Sequence, residues 1–443
     1  SAALLRLKSS RGFDAAIGLL ETALRRYVAA GDQVAAGLVH SRLGGALCLH
    51  HSVMNIPRAL DHFDAAERLL SSPETVFHLH RGRCQAAMFG LRTDLLLGSA
   101  DRAAAIAEGA GRRDLAVLAG WAQGWAAVNQ GRIGDAAAIW QSIWSLAHEL
   151  ADPYLGWIPV NQAALVCNTY LLDPQNARTW CRRGLAQPQF AAFSHPHDAV
   201  VDQLSLGLAL MGELPAARDA ADALPGDAVA RRMLTFLTGD WEGAERSWAA
   251  AAAADESTGD RHDAALNLRW LAMARRRLGR PLEQVVNPLR TALEFTKDRR
   301  QVPTELAVRA ELAELLATDE PGEAAGHLDR CETILSDGQD WRGLVGTVEL
   351  ARGALAAAHG DEAGSDAGRS AAVDVFTRFR LPWHAAAALT GGAESLARRG
   401  APDAAERHRV RAHQLYTSVG AADRWRQWTS TTLPRDFHSG RAL

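Results

Sequence analysis

Lysine is nearly missing from this 443-residue chain: Lys8 and Lys297 are the only two among 48 basic residues. Neither ends a glycine-rich phosphate loop, so there is no Walker A motif and nucleotide hydrolysis by that route is excluded. The dominance of arginine, with abundant Ala and Gly, reads as the composition of a GC-rich genome. Cysteine is also scarce. Cys48, Cys84, Cys167, Cys181 and Cys331 are odd in number, scattered and free of any C-x-x-C pair, which argues against a disulfide framework and for reduced thiols in a cytoplasmic protein. A marked excess of charge of one sign is missing too. The net charge is −3 with acids and bases interspersed, leaving no basic stripe for direct nucleic-acid binding or for an anionic membrane surface.

Long apolar runs are absent as well. Trp248 to Ala254, seven residues and mostly alanine, is the longest, far short of the roughly 20 that a membrane span needs. No signal peptide is recognisable. The chain opens on Ser1 with helical patterning at once, and the expectation is a piece excised from a larger protein. No G-x-S-x-G elbow, H-E-x-x-H or G-x-G-x-x-G after a strand is present. The expectation is therefore a protein that is not an enzyme, with no catalytic residues and no cofactor.

What is present is a folded composition, 48% hydrophobic and 22% charged, in a chain longer than one core normally supports. It repeats. A polar turn followed by a small-residue signature recurs at Asp14-Ala15-Ala16, Asp64-Ala65-Ala66, Asp135-Ala136-Ala137, Pro215-Ala216-Ala217, Gly243-Ala244-Glu245, Glu323-Ala324-Ala325 and Asp403-Ala404-Ala405. Ala136 and Ala216, Ala244 and Ala324, and Ala324 and Ala404 each stand 80 residues apart. Halving that step gives a unit of about 40, with weaker copies at Ala177, Gln284 and Ala363, and Ala103 as a further one. Turn residues Gly131, Asp173, Gly212, Gly239, Gly279, Asp319, Gly360 and Gly400 follow the same spacing.

Each unit reads as two helices, with Pro or an acid in the first turn and Gly after the last. The fold expected is all-α: a superhelical solenoid of about eleven antiparallel hairpins, tetratricopeptide-like, in which each hairpin hides its apolar face only by stacking on the next. Alanine allows neighbouring axes to approach to about 8–10 Å. The interval from Ala216 to Ala244 is only 28 residues. Pro225-Gly226 and Gly239-Asp240 bracket a single short helix there, which reads equally as a hinge or as a rigid local repacking. The domains expected are an N-terminal lobe 1–211, a shortened repeat 212–240, a C-terminal lobe 241–428 and a tail 429–443. Pro288, after Asn287, is expected to kink or shorten its helix.

The C-terminal two hundred residues resemble a known family. Leu381-Pro382-Trp383-His384-Ala385-Ala386 through Arg399-Gly400, then Pro402-Asp403-Ala404-Ala405-Glu406, then Tyr416-Thr417-Ser418-Val419-Gly420-Ala421 are similar to the closing repeats of the tetratricopeptide-like sensor arrays of bacterial signal-transduction ATPases, the large ATP-binding LuxR-type and maltotriose-activator-like regulators. Before Asp240 periodicity alone supports it. The resemblance implies a cytoplasmic sensing or docking region of a transcriptional regulator that takes a small inducer or a partner protein on its concave face. With no Walker motif and no helix-turn-helix pattern in Trp428 to Leu443, the ATPase and output modules would lie on flanking sequence. The alternative is a free-standing tetratricopeptide-like adaptor holding a peptide segment.

Aromatic residues offer a binding site. Six of thirteen tryptophans fall at Trp121, Trp125, Trp140, Trp144, Trp157 and Trp180, and the i,i+4 pairs share helix faces. They read as gap-fillers between stacked helices or as an aromatic pocket for a sugar, ring compound or cation. Trp157, Asn161 and Asn168 follow helical spacing with Gln162 beside them, and amides on an apolar helix need partners. The candidate ligand-binding residues are Trp121, Trp125, Trp157, Asn161, Gln162 and Asn168. The histidines His50-His51, His78 and His80 with Cys84, and His195-Pro196-His197-Asp198 lack metal-ligand spacing. No metal is expected, and these histidines are read as surface or capping residues. Glu311 and Glu314 are read as a solvated helix face.

Overall fold

The computed structural model describes residues 13–48, 52–187, 194–224, 228–298 and 300–421. His50-His51, Pro225-Gly226 and the stretch 428–443, with the tail 429–443, lie outside them. The described residues form twenty-one helices and no strand. They are α1 (Phe13–Ala29), α2 (Gln33–Ala46), α3 (Ile56–Glu67), α4 (Pro73–Phe89), α5 (Thr93–Gly109), α6 (Arg113–Asn129), α7 (Ile133–Glu149), α8 (Pro153–Leu165), α9 (Pro174–Leu185), α10 (Ser194–Leu210) and α11 (Leu214–Asp222). There follow α12 (Val229–Leu237), α13 (Trp241–Thr258), α14 (Arg261–Arg277), α15 (Leu282–Thr296), α16 (Val302–Leu316), α17 (Pro321–Leu335), α18 (Leu344–Ala358), α19 (Glu362–Arg378), α20 (Pro382–Arg398) and α21 (Pro402–Ser418). None is long and apolar enough to cross a membrane.

The period comes from one helix-ending device used repeatedly. A residue in the left-handed region closes the helix at Leu91, Gly111, Gly131, Ala151 and Leu172, and again at Gly239, Gly259 and Gly279 and at Gly360, Arg380, Gly400 and Gly420, steps of about 20 residues. At Gly131 (φ 80°) the next amide, Arg132 N–H, reaches back to Ala127 O at 2.9 Å, so the terminal carbonyls are satisfied as the chain reverses. Two such steps make a hairpin of about 40 residues. The even-numbered helix comes first and the odd-numbered one carries the alanine signature.

Those alanines are contact points. Ala16, Ala66, Ala103, Ala136, Ala177, Ala217, Ala244, Ala324 and Ala405 are all at most 1% exposed. At the two weakest copies the register slips: Gln284 and Ala363 face solvent, and Val285 and Ser365 take the buried place. Large side chains of odd helices fill notches left by glycines of even ones. The Phe63 ring of α3 lies between Gly44 of α2 and Gly82 of α4, where a methyl group would come within 2.8 and 2.7 Å of it. Trp140 of α7 fits against Gly124 of α6, and Phe376 of α19 against Gly346 of α18.

The shortened repeat is visible. Helices α11 and α12 have nine residues each, against 17 in most others such as α6. Pro288 does not stop α15, which runs on from Leu282 to Thr296. The carbonyl that it orphans, on Gln284, accepts from Arg275 Nη1 at 3.0 Å instead. Helix α8 continues as a π turn, Val166–Tyr170.

The residues cluster into two compact units that do not follow chain order: 1–155 with 250–267 and 295–301, and 156–249 with 268–294 and 302–443. In the first, distant repeats touch. Thr93 Oγ1 donates to Arg300 O at 2.7 Å, and Gly259 packs on Pro57. In the second, Trp383 Nε1 donates to Ala209 O at 2.9 Å and Leu344 N–H to Leu171 O at 3.2 Å, while Gly212 abuts Val419.

The notches set a clear expectation. Gly124→Ala places a methyl 2.2 Å from Trp140 Nε1 and should cost about 1–3 kcal/mol in urea unfolding. Gly18→Ala, in the body of α1 with open space around it, should be stabilising by about 0.5–1 kcal/mol.

Candidate functional site

Even-numbered helices are flanked by neighbours on more sides than odd ones. In α16 eleven side positions are buried, including Thr304 and Glu305. Polar groups on these helices therefore need partners inside the protein, and in the second unit they find them in one charged interior. Arg269 of α14 donates from Nε to Glu311 of α16 at 2.7 Å, with side chains only 4% and 13% exposed. Two turns further along α14, Arg276 forks onto Glu314 with bonds of 3.1 and 2.7 Å. Glu394 of α20 and Arg369 of α19 contribute to the same field.

Burial and ion pairing compete at these groups. Burial works to raise the Glu314 carboxyl, yet Arg276 holds it below the usual range. Burial raises Glu311 and Glu394 against the nearby guanidinium groups. Arg277 is pushed down to about 10, by burial first, although Tyr416 and the glutamates oppose the shift. His384 is pushed down to about 4 by burial and then by Arg269 and Arg277. Arg276 nevertheless keeps 42% of its side-chain surface accessible. Arg269, Arg276, Arg277, Arg369 and Arg398 outnumber Glu311, Glu314, Glu394 and Asp366 in this field, so the interior favours an anionic group over a cationic one.

Beside it, a cavity of about 320 Å³ opens between α19, α20 and α21. Asp366, Arg369, Leu389, Gly392, His408 and Arg411 line it. Gly392 keeps it open, since a methyl there would stand 2.8 Å from His408 Nδ1.

The residues singled out from the sequence divide between the units. Trp121 and Trp125 are in the first; Trp157, Asn161, Gln162 and Asn168 are in the second. Trp125 is fully buried, with the Trp140 and His262 rings edge-on at 6.2 and 5.3 Å. Trp121, Trp157, Asn161 and Gln162 are half-buried. Asn168 is enclosed in the π turn, where Nδ2 donates to Gln203 O at 2.8 Å and Oε1 at 3.2 Å, clasping α8 to α10. The π turn also breaks the regular spacing from Trp157 to Asn168.

Two readings need correction. Glu311 and Glu314 do not form a solvated face, because α16 is an inner helix and their partners come from α14. His80 is not at the surface: it is 1% exposed, and burial pushes it down to about 4. Cys84 is equally enclosed, and His197 is half-buried beside Asp198 at 3.4 Å. The sequence reading passed over Arg269, Arg276, Arg277 and His384. For Arg269 and Arg276 the signal was arginine on α14 at positions that meet glutamates of α16, the first helix of the next hairpin.

No family model matches the chain, and no curated protein does. Solved structures resemble it distantly. A Rap protein complexed with competence and sporulation factor has a TM-score of 0.41 at 10% identity, covering 87% of this chain and 98% of its own. Apo RapI has 0.36 at 10% identity, covering 91% and 98%. A monomeric IFIT1 mutant with Gppp-AAAA has 0.43 at 12% identity, covering 86% and 90%.

Removing one partner of the enclosed pair is expected to be severe. Glu311→Ala should cost about 3–5 kcal/mol by leaving Arg269 uncompensated, whereas Arg269→Met with Glu311→Leu should recover most of it. Denaturant unfolding of the three chains measures this. For His384 the neutral form is favoured on folding. Its stabilisation is therefore present above pH 6.5 and is lost as pH falls toward 4. Melting curves across that window should fall less steeply for His384→Phe, which keeps the packing on Phe376 at 5.2 Å.

Proposed function

We propose that the chain is a binding module that works without catalysis, and that the charged interior of the second unit takes an anionic segment of a partner protein, such as an acidic peptide stretch or a C-terminal carboxylate. One observation carries the reading: Arg269, Arg276, Arg277 and Arg369 converge from α14 and α19 on a space shared with Glu311, Glu314, Glu394 and Asp366, and Arg398 of α20 adds a fifth guanidinium to the field. Arg276 is both paired and accessible, so an incoming carboxylate can share or displace Glu314 with little rearrangement. The likeness of α20 and α21 to the closing repeats of signalling-ATPase sensor arrays supports reading this module as part of a cytoplasmic bacterial regulator, whose nucleotide-binding and output modules would lie on flanking sequence. Direct nucleic-acid binding is not part of the proposal.

The cavity beside Gly392 favours a second reading, a small anionic inducer. Its volume of about 320 Å³ lies in the range of small-molecule sites, roughly 300–1,000 Å³, and Arg369 connects it to the interior.

An immobilised library of ten-residue peptides of graded charge tests the first reading, with the full chain as probe. Acidic members should bind and should weaken as salt rises. Arg276→Ala with Arg277→Ala should reduce their binding by about tenfold or more, ~1.4 kcal/mol. Preference for basic peptides, or unchanged binding in the double variant, would refute the reading.

A further inference from the structure

In the first unit a different set of side chains meets at the turn between α13 and α14. Asp260 caps α14, its Oδ1 accepting from Asp263 N–H at 3.0 Å. The side chain is completely enclosed, and its other oxygen, Oδ2, has no hydrogen-bond donor. Two more acids bear on it, Asp263 and Asp255. Asp255 already accepts from Asn267 Nδ2 at 2.8 Å. His262, 2% exposed, has Nδ1 2.8 Å from Asp263 Oδ1. Trp125 and Phe89 meet its ring at right angles, 5.3 and 6.4 Å away, so the imidazole has little freedom to turn.

One potential ligand atom from each of Asp260, His262 and Asp263 lies within 4.8 Å of the others. Donors sharing one ion at bond lengths of about 2.0–2.2 Å stand at most about 4.4 Å apart, a distance that small side-chain adjustments reach. A buried carboxylate oxygen with no donor is costly unless a proton or a cation satisfies it. Two carboxylates and an imidazole form a donor set suited to Mn²⁺, Fe²⁺ or Zn²⁺ more than to Ca²⁺, which prefers oxygen alone. We propose that Asp260, His262 and Asp263 bind one divalent first-row transition-metal ion, which pins the α13–α14 turn against α6. The sequence signal is the compact Asp260-Arg261-His262-Asp263 run, which a search for H-x-x-x-H or paired cysteines passes over.

The experiment strips the full chain with a chelator, reloads it with Mn²⁺ or Zn²⁺, and measures metal content after desalting together with the melting temperature. About one ion per chain and a rise in melting temperature are expected. Asp260→Asn keeps the helix cap and should lose both the ion and the metal-dependent rise; Asp263→Asn serves as a second variant should the first fold poorly. Substoichiometric metal in the wild-type chain, or an equal rise in both variants, would overturn the site. Neither result bears on peptide binding by the second unit.

Discussion

Gly44, Gly82, Gly124 and Gly346 each leave out a side chain where the ring of a neighbouring helix must enter, and the stack depends on that fit. With Phe63, Trp140 and Phe376 in these notches, the signature alanines are buried almost completely. Interiors packed to this density accept little change of volume. One missing methyl group therefore sets the spacing between neighbouring helices, and the regular turn at about every twentieth residue sets their phase.

Close stacking also determines where charge can go. An inner helix has no solvent face of its own, so an arginine or glutamate on it is met by the next inner helix or by water in a concavity. Arg269 with Glu311 illustrates the first case and Arg276 with Glu314 the second. The first holds two hairpins in register, and the second leaves a guanidinium both ordered and reachable. A recognition surface of this kind is pre-organised, because its ordering cost is met during folding and not on binding.

Much of the fold was legible from residues alone. The D-A-A signatures and the terminal glycines placed the hairpins, and the short interval after Ala216 anticipated the nine-residue α11 and α12. Pro288 lies inside α15, and the sequence does not announce that Arg275 will satisfy the carbonyl it orphans. The candidate site was less legible. Periodicity assigns a residue to a face, but whether that face meets solvent depends on which helices are inner, and this is why Glu311 and Glu314 were misread. For Asn168 the obstacle was local: a π turn shifts the helical phase without a composition signature. The pairing of residues near Thr93 with those near Arg300 is beyond any local pattern.

That pairing has a consequence for biosynthesis. The first unit is completed by residues 250–267 and 295–301, so its N-terminal hairpins leave the ribosome well before their last packing partners exist. At about 5–20 residues per second, the gap after residue 155 amounts to roughly ten to thirty seconds. Over that interval the surfaces around Pro57, Phe89 and Thr93 stand uncovered on the nascent chain. A holding chaperone would have a defined window and a defined place to act, and slow codons upstream of residue 301 would lengthen the exposure.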